Sequence, residues 1–146
     1  MDSDNSREKM DVLTVPFVKK AGIQRSADGR LELPFDDSVH NHLQNIHASA
    51  QFTLAETASG EYLQTVFPEL LGKVIPVLRD VQVKFRKPAL NSIRADASLT
   101  EESIAKFREQ FANKGRALIS VHVDIEDVEG TLTLSGEYNW FVQAIE

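Results

Sequence analysis

The chain has 146 residues, 42% of them hydrophobic, which suits one domain with a self-sufficient core and calls for no second one. It contains no cysteine, so disulfides and thiolate-held metals are excluded. Its formal net charge of -6 argues against general nucleic-acid binding, which needs a basic footprint.

Residues 1–6 are polar. Over residues 7–21 the apolar positions Met10, Val12, Leu13, Val15, Phe17 and Val18 predict a short helical lead-in. It is interrupted near Pro16, which lacks an amide donor and restricts the residue before it. This lead-in, residues 1–21, is expected to lie against a sheet. Two short strands, 23–25 and 30–34, flank Ser26-Ala27-Asp28-Gly29, whose Asp-Gly pair signals a hairpin. Asp36, Asp37 and Ser38 then turn the chain into a polar loop.

Residues 41–67 read as that loop feeding one long helix. At ~100° per residue, Phe52, Ala55, Ala58, Ser59, Tyr62, Leu63, Val66 and Phe67 share one arc, and Thr53, Thr57, Glu61 and Gln64 fall opposite. A helix of about twenty residues is ~30 Å long and crosses a small domain. Its small residues Ala55, Ala58, Ser59 and Gly60 allow a sheet to approach the backbone. Glu56 projects between the directions of Leu63 and Phe67, inside or at the edge of the apolar arc, whereas Glu61 points to the polar side. Gly72 and Lys73 are expected to end the helix.

Beyond residue 74 the chain becomes strand-like. Val81, Val83 and Phe85 alternate with Gln82, Lys84 and Arg86. Residues 88–91 break this strand and 93–99 form the next. Thr100 then caps a small helix over 101–114 with the stripe Ile104, Phe107, Phe111, ended by Gly115. The strands 117–126 and 131–143, joined by Asp127-Val128-Glu129-Gly130, close the chain as a hairpin. The order is short helix, two strands, long helix, then four strands with an inserted helix. This is an α+β fold in which an antiparallel sheet curls around one long central helix, within a single domain of residues 1–146. His40, His42 and His47 have no acidic ligand at a motif spacing, so no metal is expected. No apolar run approaches ~18 residues and the N-terminus lacks a signal-peptide core, so the protein is expected to be soluble and cytoplasmic, away from membranes.

Asn41, His47, Leu54-Ala55-Glu56-Thr57-Ala58 and Val81-Gln82-Val83-Lys84-Phe85-Arg86-Lys87-Pro88 together resemble the hotdog-fold acyl-CoA thioesterases of the phenylacetyl-CoA and 4-hydroxybenzoyl-CoA type. In those enzymes an asparagine precedes a His-Gly-Gly turn, the following helix carries Leu-Ala-Asp or Leu-Ala-Glu, and a later strand ends in Phe-x-x-Pro. Asn41 lies six residues before His47 and Glu56 nine after it, as the pattern requires. The resemblance spans about residues 31–141. One departure is clear: His47-Ala48-Ser49 stands where His-Gly-Gly is usual.

The resemblance implies a hydrolase that splits an acyl thioester into a carboxylic acid and CoA, without cofactor or metal. Glu56 would be the catalytic carboxylate, as general base or as nucleophile. Asn41 would orient the thioester carbonyl or the water, and the backbone N–H of Ala48 would be the oxyanion donor at the helix start. His47, Ser49 and Phe52 would line the substrate path, with Phe52 and Leu54 receiving the acyl chain. Arg86, Lys87 and Arg116 would meet the CoA phosphates. The site is implied to form between subunits of a homodimer, with dimers pairing into tetramers. Plain rivals exist for each role: Glu56 as a structural carboxylate paired with Asn41 or loop amides, His47 as a loop-fixing hydrogen bonder, Asn41 as a turn former, and the basic residues as solvated edge protection. Two other functions fit the fold. One is an acyl-thioester hydratase or dehydratase, whose motif spacing this chain does not match; the other is a non-catalytic acyl-CoA or lipid-binding module, favoured by the missing glycines.

Overall fold

The computed structural model describes residues 9–145, so residues 1–8 of the predicted lead-in lie outside the described residues. Asp11 caps a 3-10 turn at Val12–Thr14 by accepting the Leu13 N–H. Pro16 then opens helix α1 (Pro16–Ala21), at the one helical position where a missing amide donor costs nothing. The chain turns out of α1 at Gly22, whose φ of 89° favours a residue without Cβ.

Six strands form one antiparallel sheet: β1 (Gln24–Arg25), β2 (Leu31–Leu33), β3 (Val74–Phe85), β4 (Ile93–Ser98), β5 (Arg116–Asp127) and β6 (Leu132–Ala144). Their spatial order is β1-β2-β4-β5-β6-β3. The long helix α2 (Ala48–Val66) lies in the curl of this sheet, and α3 (Glu101–Lys114) is inserted between β4 and β5. The predicted element order and α+β architecture hold. The cause is visible in the period-two pattern of β5, where Ala117, Ile119, Val121, Val123 and Ile125 are all buried and turned toward the core. Leu134, Tyr138 and Val142 of β6 join them, facing Leu54, Ala55, Ala58 and Leu63 of α2.

The small residues of α2 act as predicted. Ser59 is fully buried and its Oγ accepts a 2.9 Å hydrogen bond from Trp140 Nε1, while a Cβ on Gly60 would lie 3.4 Å from the Trp140 ring. Thr133 Oγ1 donates to Gln51 Oε1 near the helix start. Together these contacts make α2 run alongside β6 in the same direction, its N-terminus at the end of the sheet where β3 finishes.

Three expectations are corrected. The lead-in packs on α2 rather than on the sheet. Thr53 and Thr57, expected on a polar side, are therefore buried: their hydroxyls bond back to the helix carbonyls of Ser49 and Thr53, which makes them tolerable beneath the lead-in. α2 also ends at Val66, ahead of Gly72, because the ring of Pro68 cannot extend a helix and instead starts a 3-10 turn at Pro68–Leu70. Gly72, with φ of 75°, serves the turn into β3.

α3 begins as its sequence requires, with Thr100 Oγ1 accepting the Ser103 N–H at 3.0 Å, and ends at Gly115 in the left-handed region. Phe107 is buried, its ring 4.6 Å from that of Phe67, which ties the inserted helix to the end of α2.

Candidate active site

Glu56 sits on α2 at the wall of a cavity of about 600 Å³. The cavity is bounded by the lead-in, by Thr53, Thr57, Gly60, Leu63, Gln64 and Phe67 of α2, and by Val74, Pro76, Trp140 and Val142 of the sheet. Glu56 is the only ionisable side chain among its described lining residues. Leu63 and Phe67 border the same space, in keeping with the arc position read from the helix period.

The carboxylate is half-buried, and no hydrogen bond or ion pair joins it to another described residue. Burial alone raises its pKa above the ordinary value of 4.5. An unpaired half-buried carboxylate costs free energy, so the rival reading of Glu56 as an acid satisfied by Asn41 or by loop amides finds no support in this protomer. Nearby, the Tyr138 hydroxyl donates to the Phe52 carbonyl at 3.2 Å, and burial together with the Glu56 charge keeps the phenol protonated far above its usual range.

Asn41 and His47 are both occupied with local structure. The Asn41 Oδ1 accepts the N–H groups of Leu43 and Asn45 at 2.9 and 3.0 Å, forming the turn that brings the chain to α2. His47 is the N-cap of α2, its Nδ1 accepting the Ser49 N–H at 3.0 Å. The Ser49 amide is thereby committed. The neighbouring Ala48 N–H, at the first helical position, makes no hydrogen bond to another described residue and lies at the positive end of the helix. His47, Ala48 and Ser49 are all exposed. Eight residues separate Ala48 from Glu56, or about 12 Å along the axis. One protomer therefore cannot bring both groups to the same thioester carbonyl, and Asn41 does not line the Glu56 cavity either.

The two residues expected to receive the acyl chain do not face the cavity. Leu54 is fully buried in the core, and Phe52 packs its ring 5.3 Å from Tyr138. The basic residues are also dispersed. Arg86 and Lys87 follow β3 at the α2 N-terminal end of the sheet, with the Arg86 N–H donating to the Thr133 carbonyl. Arg116 opens β5 beside Gln143, which pairs with Ile75, at the other end of the same sheet. Because adjacent strands are antiparallel, residues that start β5 and finish β3 are far apart, and the three cannot grip one phosphate group of a single protomer's ligand.

Two features escaped the sequence reading. The lead-in supplies Met10, Val12, Val15, Phe17 and Val18 to the cavity, although their spacing was visible and pointed only to some packed surface. The outer face of the sheet also carries His122, between Glu137 at 2.6 Å and Asp124 at 3.0 Å, beside a shallow hollow shared with Lys84 and Arg86. The bond to Glu137 raises the His122 pKa. Single residues on β5 and β6 give no motif until pairing brings His122 opposite Glu137. Among the described residues no group of three or more His, Asp or Glu side chains is arranged to hold a metal ion, and no helix is long and apolar enough to cross a membrane.

A family model described as a domain of unknown function, DUF4442, matches residues 12–142. No curated protein matches the chain. Among solved structures, the chain is similar to PA5026 of Pseudomonas aeruginosa, a protein of unknown function described as a probable thioesterase, with 22% identity, 99% of this chain and 97% of that chain covered, and a TM-score of 0.75. It is similar to thioesterase HI1161 of Haemophilus influenzae at 16% identity, with 94% of each chain covered and a TM-score of 0.66. BH2602 of Bacillus halodurans, solved with CoA, is 24% identical over 88% of this chain and 78% of that one, with a TM-score of 0.64. The fold is the hotdog fold shared with these proteins.

Proposed function

This chain belongs to the DUF4442 family, a domain of unknown function, and on that footing we propose that it is an acyl-CoA thioesterase whose helix-borne Glu56 carries the chemistry. The observation that supports this most is the Glu56 carboxylate itself, among the described residues unpaired and the one ionisable group on the wall of an apolar cavity. A carboxylate raised by burial and free of partners is suited to take a proton from water or to attack a carbonyl carbon. In the first route water adds to the thioester carbonyl while its proton passes to Glu56. The C–S bond then breaks, the thiolate takes up that proton, and a carboxylic acid and CoA leave.

The oxyanion donor is the Ala48 N–H of a second copy, since the ~12 Å between Ala48 and Glu56 within one chain is too long for a shared carbonyl. β3 supports such pairing: it is a twelve-residue strand at the edge of the sheet, with Ile75 and Val77 exposed. The motif resemblance to phenylacetyl-CoA and 4-hydroxybenzoyl-CoA thioesterases supports the reaction type, and the CoA carried by BH2602 supports CoA as the leaving group. Arg86 and Lys87, at the helix-start end, are the residues assigned to its phosphates.

A second reading, an acyl-CoA-binding module without turnover, is favoured by one observation: Ala48-Ser49 replaces two glycines and the Ser49 amide is tied to His47. Thiol release from a panel of straight-chain and aromatic acyl-CoAs separates the two. Wild type should turn over at least one class, and Glu56→Gln should lose about 10²- to 10⁴-fold in kcat while keeping its oligomeric state. Tight binding of acyl-CoA with no release in wild type would instead establish the binding module.

A further inference from the structure

Apart from Glu56, the polar side chains on the cavity wall are already engaged. The hydroxyls of Thr53 and Thr57 donate to α2 carbonyls at 2.9 and 2.7 Å. Gln64 is held from both sides by one backbone unit, its Oε1 accepting the Met10 N–H at 2.7 Å and its Nε2 donating to the Met10 carbonyl at 3.0 Å. Trp140 Nε1 donates to Ser59. No cation among the described residues lines the space. A ligand entering it meets hydrocarbon and one carboxylate, so recognition there is by apolar contact alone.

The shape is elongated. Lining residues on α2 and at its C-cap run from Thr53 to Phe67, about 21 Å along the axis, and those beyond Glu56 account for about 16 Å of this. Opposite them stands the lead-in, tied to α2 by the Met10–Gln64 pair and by Lys9 Nζ donating to Thr65 Oγ1 at 2.9 Å. Phe17 and Met10 border the cavity yet are 64% and 53% exposed, large apolar groups without a full set of packing partners.

We propose that the lead-in is the specificity-determining wall of an acyl compartment, and that the acyl group it selects is an uncharged straight aliphatic chain lying along α2 from Glu56 toward Phe67. The far limit is set by Leu70, Leu71 and Phe107. An aromatic acyl group would fill only the part beside Glu56, and a chain ending in a carboxylate would meet no cation among the described residues. Val15 is the point at which volume can be added or removed, since its side chain lines the space without making a cap hydrogen bond for α1. The chemistry at Glu56 rests on the thioesterase reading; the compartment does not.

The test uses the full chain as wild type, Val15→Phe and Val15→Ala, each checked for fold by circular dichroism. kcat/KM is measured over short to long straight-chain acyl-CoAs and over benzoyl- and phenylacetyl-CoA, and binding of the same compounds is measured by calorimetry. Each added methylene should raise kcat/KM and affinity roughly fourfold until the compartment is full. Val15→Phe should move the cut-off to shorter chains and Val15→Ala to longer ones. A length profile identical in all three proteins, or a preference for the aromatic compounds, would overturn the compartment while leaving the thioesterase in place. Length-dependent binding that shifts with Val15 but is never followed by thiol release would do the reverse. Neither binding nor release would overturn both.

Discussion

At the scale of single residues, the proposed chemistry turns on a carboxylate without a partner among the described residues. Its raised pKa has two consequences with opposite uses. For catalysis Glu56 must be ionised, so log kcat should fall on the acid side from a point above 4.5, the ordinary glutamate value. A rate that stays flat into strongly acid solution would remove Glu56 as the base. For stability the native protein holds this proton more tightly than the unfolded chain does. Stability is therefore lost as pH rises from 4.5 through the raised native value, and the deficit persists above it. Glu56→Gln carries no such deficit. It should melt at a higher temperature than wild type at neutral pH, with the gap closing below pH 4.5, as thermal unfolding across pH would record. A gain in stability together with a loss of turnover is the pattern expected where a site is strained for function.

At the scale of elements, the site depends on how tightly β6 is held between α2 and β3. Gly136 of β6 pairs with Val83 of β3, and a Cβ placed there would lie 2.9 Å from the Gln82 carbonyl oxygen and 2.9 Å from the Val83 side chain. The carbonyl is backbone in a continuous ladder and cannot swing aside. Gly136→Ala should therefore cost about 1–3 kcal/mol in urea unfolding, through overpacking. Gly130 and Gly115, whose added Cβ atoms would meet nothing, owe their identity to positive φ instead. The same strand carries Trp140 to Ser59 and Tyr138 to the Phe52 carbonyl, so the seat of α2 and the position of Glu56 share one support.

At the scale of the whole molecule, the proposed chemistry needs two copies. Ala48 occupies the first helical position and His47 before it is extended (φ -61°, ψ 142°), so both tolerate proline at residue 48. Ala48→Pro removes the N–H while keeping α2. Alone it should lower kcat about 10²- to 10³-fold, the usual loss of one oxyanion donor. Co-expressed Ala48→Pro and Glu56→Gln chains should recover roughly a quarter of wild-type activity. Half of random dimers are mixed, and one of the two sites in each has both groups intact. No recovery in mixed dimers isolated with two affinity tags would count against a shared site.

How much of this was legible follows from what each feature depends on. Local chemistry could be read directly: the Thr100 cap, the Asp28-Gly29 turn, the strand over residues 117–126 and the long helix each depend on residues near one another in the chain, and the motif around His47 and Glu56 carried the fold with it. Thr53 and Thr57 depart from the expectation because a polar side chain need not be exposed. Hydroxyls that bond to their own helix can be buried at little cost. The dispersal of Arg86 and Arg116, the meeting of His122 with Glu137, and the closing of the lead-in over α2 depended on strand register and on segments more than fifty residues apart. The sequence by itself determined the elements, their order and the carboxylate. Only the tertiary structure decided that this carboxylate has no partner among the described residues and faces an apolar cavity, because burial and pairing are properties of surfaces brought together by packing.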